Sequence, residues 1–417
     1  MKRRSILAIG VALLALATAG CASDEDGVTR VIFAAGNDPS GATETLVREF
    51  NEAHPGIEVT FQVMPANTDT QHDAYVTYLS ASDPGIDLYS MDVIWTAEFA
   101  KAGWIQPIPD DVLDRDEFLD APLASATYDG RLYAAPWFTD AGVLYYRSDL
   151  LDQAGHDVPE TWPELRDACA AIAGVAETDG FLWQGARYEG LVCNFLEALW
   201  GLGGSLDPED LAERPDEVED GVRRTLEHMA SLIDDPSISP RSVLTYKEED
   251  ARRLFTEGRA LFLRNWPYAW SFAQGEESKV RGAVGIARLP HAPGETSYST
   301  IGGWNIGLSS YSRHPDESLE FLRFITNERS MKLRAIQGGY LPTLRTTYAD
   351  EEVLEANPHY ADFFEVFKNA RNRPKSPNYP RVSDIIQENA HGALSGEIDH
   401  GDAAAAIVEG LAAILVE

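Results

Sequence analysis

Cysteine is scarce in this chain, which has three cysteines among 417 residues, Cys21, Cys169 and Cys193. A metal site is not expected, because no Cys or His with ligand spacing lies beside Cys169 or Cys193. In an oxidising compartment these two residues could form a disulfide. They lie in helical patterns over 161–175 and 188–200, so the bond would join adjacent helices. Two buried free thiols are the alternative.

Positive charge is also scarce. The chain carries 34 Lys and Arg residues against 67 Asp and Glu, a formal net charge of −33. Removing the three positive charges of Lys2, Arg3 and Arg4 lowers this charge to −36. Such an acidic surface argues against nucleic acid as a partner and against an anionic phosphate compound as the main ligand. It is compatible with a neutral ligand.

Long hydrophobic runs are missing after the first residues. Ile6–Ala17 is apolar but too short for a stable membrane anchor, and Lys2 to Arg4 give it a positive start. We therefore predict a signal peptide over 1–20 and a polar tether over 21–30. Thr18-Ala19-Gly20-Cys21 resembles a bacterial lipobox, in which Cys21 becomes lipid-modified. An ordinary secretory peptide with an incidental cysteine is the alternative, and the export route, Sec or Tat, stays open.

The remaining chain of about 400 residues is longer than one hydrophobic core usually organises, so two lobes are expected. Strand patterns over 29–35, 57–64 and 87–93 alternate with helical patterns over 41–54 and 74–81. This order predicts an α/β fold with a mostly parallel sheet. Ligands of such sheets bind at the carboxyl ends of the strands, where Asn37 and Asp92 would lie. Asn37 could instead be part of an ordinary turn and helix cap.

Two aromatic segments combine Trp with Gly, Pro or Asn. One is Ile301–Ser309, which contains Gly302-Gly303-Trp304, and the other is Asn265–Trp270, which contains Trp266. Adjacent glycines allow the backbone to turn and leave N–H groups accessible. A flat indole beside bare backbone is suited to a flat, hydroxyl-rich molecule, although both tryptophans could simply fill a core.

A polar break at Thr139 and Asp140 separates a small-residue strand from an aromatic strand within 134–147. We interpret this break as a point where the chain crosses between lobes. Asp140 could then contact a ligand, or it could be a helix cap or a hinge hydrogen-bonding residue.

With these segments, nearly the whole chain resembles the extracellular solute-binding proteins of ABC sugar importers, and within them the trehalose/maltose-binding branch. The segments that carry the resemblance are the lipobox, Phe50–Ile57, Leu144–Arg147, Phe255–Ala260, Arg264–Trp270, Gly302–Trp304, Gly338–Pro342 and Arg373-Pro374 with the following Ser376–Pro380.

The resemblance implies a two-lobe α/β clamp, like that of periplasmic binding proteins, with discontinuous lobes and a central ligand cleft. We expect 31–138 and 308–347 in the N-terminal lobe, and 139–307 and 348–417 in the C-terminal lobe. Crossovers are expected near 137–142, 303–307 and 347–352. The implied protein is a monomer without cofactor. It is lipid-anchored at the outer face of the bacterial cell membrane, and it delivers a neutral sugar to the permease of an ABC importer.

The resemblance also implies roles for single residues. Indole rings cover the apolar faces of a sugar, while carboxylates and guanidinium groups bind its hydroxyls. The implied ligand-binding set has ten members: Asp92 and Asp140 as hydroxyl acceptors, Trp266 and Trp304 as stacking platforms, Gly302 and Gly303 as backbone donors, Arg373 and Tyr340 in the cleft, and Asn37 and Glu249 as weaker candidates. Arg373 could instead pair with surface acids, and Glu249 could belong to a solvated charge run.

Two other function classes stay open. A sugar hydrolase could use Asp92 and Asp140 as its paired carboxylates, although the chain has no nucleophile elbow, zinc motif or phosphate loop. A binding protein for a peptide or a polyamine is the third class. A polyamine would favour a more acidic cleft without Arg373, and a peptide would need a larger lobe.

Overall fold

The structure is a computed structural model that describes residues 27–173 and 178–415. The predicted signal peptide and Cys21 lie outside the described residues. The strands are, in chain order, β1 (Thr29–Gly36), β2 (Ile57–Met64), β3 (Leu88–Asp92), β4 (Ile105–Gln106), β5 (Thr127–Tyr128), β6 (Arg131–Leu132), β7 (Ala134–Ala141), β8 (Val143–Arg147), β9 (Asp179–Leu182), β10 (Ala260–Asn265), β11 (Val284–Ala287), β12 (Ser299–Ser309) and β13 (Ala370–Arg371).

The helices surround these strands. They are, in chain order, α1 (Ala42–Ala53), α2 (Thr68–Ser80), α3 (Thr96–Lys101), α4 (Asp120–Ser125), α5 (Ser148–Ala154), α6 (Trp162–Ala173), α7 (Glu189–Gly201), α8 (Pro208–Glu213), α9 (Pro215–Ile233), α10 (Glu248–Thr256), α11 (Ala269–Ala273), α12 (Pro315–Ile325), α13 (Glu328–Gly338), α14 (Glu351–Ala356), α15 (Tyr360–Phe367), α16 (Tyr379–Ser395) and α17 (His400–Leu415). Short 3-10 helices cover Arg115–Glu117, Arg241–Thr245 and Thr346–Ala349.

The first sheet has the strand order β13-β12-β3-β1-β2, and β4 and β7 also pair with β12. Strand β1 is parallel to β2 and to β3, as the alternating pattern predicts. Strand β12, however, is antiparallel to β3, β4 and β7. The prediction of a mostly parallel sheet is therefore wrong for the pairings of β12 with β3, β4 and β7, because a strand from late in the chain enters beside β3 in the opposite direction. Strands β12 and β13 are parallel.

The second sheet has the strand order β11-β8-β10-β9. Strand β8 is antiparallel to β10 and to β11, while β9 is parallel to β10. All six residues of β10 are buried, which is typical of a strand covered on both faces.

Two hydrophobic cores follow from this arrangement. The first core takes its buried residues from 31–137 and 306–325, and the second core takes them from 141–289 and 335–411. Each core therefore combines parts of the chain that are distant in sequence. Ala335 and Leu341 pack into the second core although they lie in the segment 308–347 that we expect in the N-terminal lobe. The exact lobe boundaries stay a prediction.

The chain passes directly from the first sheet to the second at Gly142. Strand β7 ends at Ala141 in the first sheet, and β8 begins at Val143 in the second. The predicted polar break at Thr139 and Asp140 is wrong, because both residues lie inside the continuous strand β7. A side chain at Gly142 would collide with Glu197 and Arg264, so glycine is required there by close packing.

The predicted tether needs correction, and the structure decides between the two alternatives for the cysteines. Strand β1 begins at Thr29, inside the segment 21–30 that was expected to be a tether. Cys169 and Cys193 are buried free thiols rather than a disulfide. They lie on α6 and α7: Cys169 packs against the backbone of Gly180, whereas Cys193 lines a cavity described below. Burial raises the pKa of Cys169 to about 12 and also raises the pKa of Cys193.

Within residues 27–173 and 178–415, no helix combines the length and the apolar character needed to cross a membrane. The same residues contain no group of His, Cys, Asp and Glu side chains that could hold a metal ion.

Candidate functional site

Residues of both cores and both sheets line a cavity of about 280 Å³. All ten residues predicted to contact a ligand lie at its wall: Asn37, Asp92, Asp140, Glu249, Trp266, Gly302, Gly303, Trp304, Tyr340 and Arg373. The structure thus brings the whole predicted set together, and the contacts of these residues with a ligand stay a prediction.

Strand ends explain how residues far apart in sequence meet at this cavity. Asn37 directly follows β1, Asp92 ends β3, Asp140 is the last but one residue of β7, and Trp266 directly follows β10. Side chains at the carboxyl ends of strands are free of the sheet interior and face the crevice beside it. Strand ends therefore supply four of the ten predicted residues of the cavity wall.

Arg373 connects the two halves of the site. Its Nη2 donates to Asp92 Oδ1 over 2.6 Å, and its Nη1 donates to Glu189 Oε1 over 2.8 Å. Glu189 begins α7 and also accepts hydrogen bonds from the hydroxyls of Tyr379 and Ser383. Asp92 belongs to a strand of the first sheet, whereas α7 packs into the second core. The buried ion pairs therefore tie the two halves together.

The charge of Arg373 is firmly held. Burial alone would lower the pKa of its guanidinium, but Asp92 and Glu189 beside it raise that pKa well above the ordinary value. Burial raises the pKa of Glu189, although the charge of Arg373 opposes this effect. The Nε of Arg373 is buried without a hydrogen-bond partner in the described part of the chain.

Two hydrogen bonds and a cation–π contact fix the position of Trp266. Its backbone carbonyl accepts a hydrogen bond of 2.9 Å from the Tyr145 hydroxyl, and its Nε1 donates to Glu248 Oε1 over 3.4 Å. The guanidinium carbon of Arg264 lies 4.0 Å from the centre of the indole. Arg264 is itself fixed by a bidentate pair with Glu197, at 2.8 and 2.5 Å. The indole is thus a rigid platform at the cavity wall.

The glycine pair lies in the middle of β12, so the prediction that these glycines turn the chain is wrong. Their function is close approach. A Cβ at Gly302 would come within 3.0 Å of the Trp266 ring, and Gly303 has φ of 121°, which is strained for other residues. Trp304 follows in the same strand and meets Trp95 edge to face at 5.5 Å. The two glycines therefore allow two indoles to flank one stretch of bare backbone.

Asp140 is a buried carboxyl group without a hydrogen bond among the described residues, and it is 8% exposed. Burial raises its pKa to about 8, against the opposing charge of Arg334, and the nearby Asp92 adds to the increase. Its oxygens are therefore available to a molecule in the cavity.

Tyr340 and Asp38 form a second polar group at the wall. The Tyr340 hydroxyl donates to Asp38 Oδ1 over 3.0 Å, and Asp38 also accepts from the hydroxyls of Ser40 and Thr43, at 2.6 and 2.7 Å. Burial alone would raise the pKa of Asp38, but the charge of Arg334 and these hydrogen bonds lower it. Asp38 is thus an ionised, fully occupied acceptor.

Glu249 lies at the cavity wall and at the protein surface. Its carboxylate pairs with Arg252 at 2.7 Å and accepts 2.7 Å from the Tyr268 hydroxyl, and its side chain is 56% exposed. These contacts lower the pKa of Glu249 although burial opposes them. Glu249 is therefore both a partly solvated charge and a residue of the cavity wall.

The sequence analysis missed several residues of the cavity wall. They are Asp38, Thr43, Gln71, Trp137, Phe138, Glu189, Glu248, Tyr268 and Arg334. Asp38 follows β1 and adjoins the predicted Asn37, so strand-end position could have indicated it, whereas Glu248 begins helix α10 beside the predicted Glu249. Glu189 and Arg334 lie on helices, and no local signal shows that these helical side chains face inward.

The chain as a whole is similar to a known family, to two curated proteins and to a solved structure. A family model described as "Bacterial extracellular solute-binding protein" matches residues 35–332. A protein of Deinococcus radiodurans named "Probable ABC transporter-binding protein" is 33% identical over 402 residues, which cover 89% of this chain and 94% of that protein. The "Maltotriose-binding protein" of Pyrococcus abyssi is 25% identical over 354 residues, covering 82% and 72%. The solved structure of maltose-bound MalE3 from T. maritima is 39% identical with a TM-score of 0.87, covering 92% of this chain and 99% of that one.

Proposed function

The chain belongs to the family of bacterial extracellular solute-binding proteins, and on that premise we propose that it captures a neutral sugar for an ABC importer. Its ligand is a disaccharide or short oligosaccharide, with trehalose or another α-glucoside favoured. The two lobes close around the sugar, and the closed form delivers it to a membrane permease. The similarity to maltose-bound MalE3 supports this choice of ligand class.

The observation that carries the proposal is the composition of the cavity wall. Two indoles, Trp266 and Trp304, flank the bare backbone of Gly302 and Gly303. Around them lie carboxylate, guanidinium and hydroxyl groups that can bind sugar hydroxyls. Apolar faces and hydroxyl rims alternate in a disaccharide, so such a wall matches its chemistry.

The charge of the wall favours a neutral ligand. Arg334 and Arg373 are its two guanidinium groups, whereas its carboxyl groups number six: Asp38, Asp92, Asp140, Glu189, Glu248 and Glu249. A phosphate or carboxylate ligand would meet more carboxyl groups than guanidinium groups in this wall. The volume of about 280 Å³ lies just below the roughly 300–1,000 Å³ of small-molecule pockets, which favours a short sugar over a long one.

The remaining parts of the proposal concern location and assembly. Cys21, outside the described residues, would carry the lipid that holds a monomeric protein at the outer face of the membrane. The protein would not be an enzyme, and its relatives described above are named as binding proteins. The sugar would therefore leave the cavity chemically unchanged.

A thermal-melting screen of residues 22–417 tests the proposal. The panel contains trehalose, maltose, sucrose, maltotriose, glucose and inorganic phosphate. A ligand at 1,000 times its dissociation constant stabilises the folded state by about 4 kcal/mol, so an α-glucoside is expected to raise the melting temperature clearly. A panel without any sugar-dependent increase would contradict the proposal. Cleavage products after long incubation with the sugar would instead favour a hydrolase.

A matched pair of variants tests the place of binding. Trp304→Ala is expected to abolish most of the sugar-dependent increase in melting temperature, because it removes a stacking surface of the cavity. Trp104→Ala is the control, since Trp104 packs on the first core away from the cavity wall. Equal losses of the sugar-dependent increase in both variants would show that the cavity is not the site.

A further inference from the structure

Arg334 is a buried guanidinium at the cavity wall to which the sequence analysis assigned no function. It lies on α13 and is 2% exposed. Its guanidinium carbon is 3.6 Å from the ring centre of Trp137, 4.3 Å from that of Tyr340 and 4.9 Å from that of Phe138. These rings fix the position of the guanidinium and attract its charge, but they leave its N–H donors without acceptors.

The donors of Arg334 are poorly satisfied. A guanidinium has five N–H donors. In the part of the chain that the structure describes, Arg334 makes one hydrogen bond, from Nη1 to Thr43 Oγ1 over 3.3 Å, and its Nε is buried without a partner. Arg264 shows the contrast, since it donates to Glu197 and to Gln184. A buried cation with so few protein partners is costly unless a ligand supplies acceptors.

Asp140 is the complementary group. It lines the same cavity and accepts no hydrogen bond within residues 27–173 and 178–415. Arg334 is close enough to influence its charge, yet the two side chains form no ion pair within 4 Å among the described residues. The other nearby carboxylate, Asp38, is already occupied by Ser40, Thr43 and Tyr340. An unoccupied donor and an unoccupied acceptor therefore border one space.

Resting on the proposed function, we propose that Arg334 and Asp140 form a subsite that selects a single ring hydroxyl of the sugar. The hydroxyl donates its hydrogen to Asp140 and accepts a hydrogen bond from Arg334. A hydroxyl group fits because it is both donor and acceptor, and Asp140 keeps an acceptor oxygen in either protonation state. A deoxy position offers neither function, and an anionic group would be repelled by the ionised Asp38.

The proposal predicts a specific pattern of affinities. Removing the matching hydroxyl from the sugar leaves both buried groups unpaired, and hydrogen bonds to charged groups of this kind correspond to about a 10- to 100-fold change in affinity. Arg334→Met removes the donors but keeps an unbranched side chain against the aromatic rings. This variant is expected to bind the parent sugar about 10- to 100-fold more weakly than wild type does. It is expected to bind the matching deoxy sugar only slightly more weakly than the parent sugar.

The experiment is calorimetric titration with trehalose, maltose and the monodeoxy analogues of each. The control is Arg329→Met on the same helix, because the Arg329 side chain is 61% exposed and pairs with Glu49. In wild type and in Arg329→Met, removal of the hydroxyl at one position is expected to weaken sugar binding strongly. Only in Arg334→Met is this penalty expected to disappear. An unchanged pattern of deoxy penalties in Arg334→Met would overturn the inference.

A second variant covers the case in which Arg334→Met does not fold, as judged by circular dichroism. Arg334→Lys keeps the charge but not the fork of donors, so it is expected to show a reduced penalty at the same deoxy position. A penalty equal to that of wild type would again overturn the inference. If wild type binds neither these sugars nor any other sugar of the melting panel, the proposed function itself fails. If wild type binds them and Arg334 leaves the pattern unchanged, only this subsite fails.

Discussion

Replacing Asp92 by Asn tests whether the ion pair with Arg373 acts between the two halves of the fold. The substitution removes the charge that faces Arg373 Nη2 at 2.6 Å, while Glu189 remains at 2.8 Å from Nη1. A hydrogen bond between charged groups contributes about 1.5–3 kcal/mol. Asp92 lies on β3 beside the first core, whereas Glu189 lies on α7 beside the second. The loss therefore falls on the contact between the cores rather than on either core.

The expected result is a change in sugar binding with little change in folding. Calorimetric titration of Asp92→Asn with maltose is expected to show affinity reduced by about 10- to 100-fold. The melting temperature of the unliganded variant is expected to fall by only a few degrees, because Glu189 still pairs with Arg373 and neither core loses packing. Unchanged affinity together with a fall of several degrees would refute the reasoning, since Asp92 would then stabilise the fold alone.

Glu197→Gln is the matched control for this prediction. Glu197 is a buried carboxylate paired with Arg264 at 2.8 and 2.5 Å, and it also accepts from the Thr300 N–H at 3.1 Å. Removing one charge of such a pair destabilises by about 3–5 kcal/mol. This variant is therefore expected to show the reverse pattern, a clearly lower melting temperature without ligand. If Asp92→Asn and Glu197→Gln changed the melting temperature and the sugar affinity to the same extent, the position of an ion pair relative to the cores would not matter.

Three further predictions follow from burial and backbone geometry. Burial raises the pKa of Asp140 from 3.8 to about 8, so the stability that the protonated group contributes below about pH 4 is lost as the pH rises to about 8. Asp140→Asn is expected to flatten this decline, which amounts to at most about 1.4 kcal/mol per pH unit. An unchanged slope of urea stability against pH would contradict this expectation. Burial lowers the pKa of His359 from 6.5 to about 3, so the contribution of the neutral ring to stability is lost as the pH falls below about 6.5. His359→Phe is expected to lessen the drop in melting temperature between about pH 7 and pH 5. An equal drop in wild type and variant would contradict this expectation. Gly303 has φ of 121°, and a Cβ added to this residue would lie 2.8 Å from the Thr139 Cα. Gly303→Ala is therefore expected to reduce the free energy of unfolding in urea by about 1–3 kcal/mol. Unchanged stability would contradict the geometry.

Regular elements of the first half were predictable from sequence because their patterns are local. Strand β2 has the predicted bounds, and β1 differs by one residue at its end. The antiparallel entry of β12 beside β3 was not predictable, since it joins segments more than 200 residues apart and no local pattern encodes it. Helix α9 was not predicted from the sequence, although Pro215 at its first turn is a recognised start signal.

The candidate site shows the same division. Asp92 and Trp266 follow or end apolar strands, and strand ends place side chains at a crevice whatever the rest of the fold does. Arg334 could not be predicted, because α13 contains several charged residues and helical periodicity does not tell which of them is turned inward. Its burial depends on Trp137 and Tyr340, which approach it only in the folded protein. Helical contributions to a cavity are thus a tertiary property.

The most direct test of the central claim is a crystal structure of residues 22–417 grown with maltose. The account predicts one sugar in the cavity between the two cores, with its rings against Trp266 and Trp304 and hydroxyls within hydrogen-bond distance of Asp92, Asp140 and Arg373. A sugar bound elsewhere on the surface, or a cavity without sugar at saturating maltose, would contradict the account.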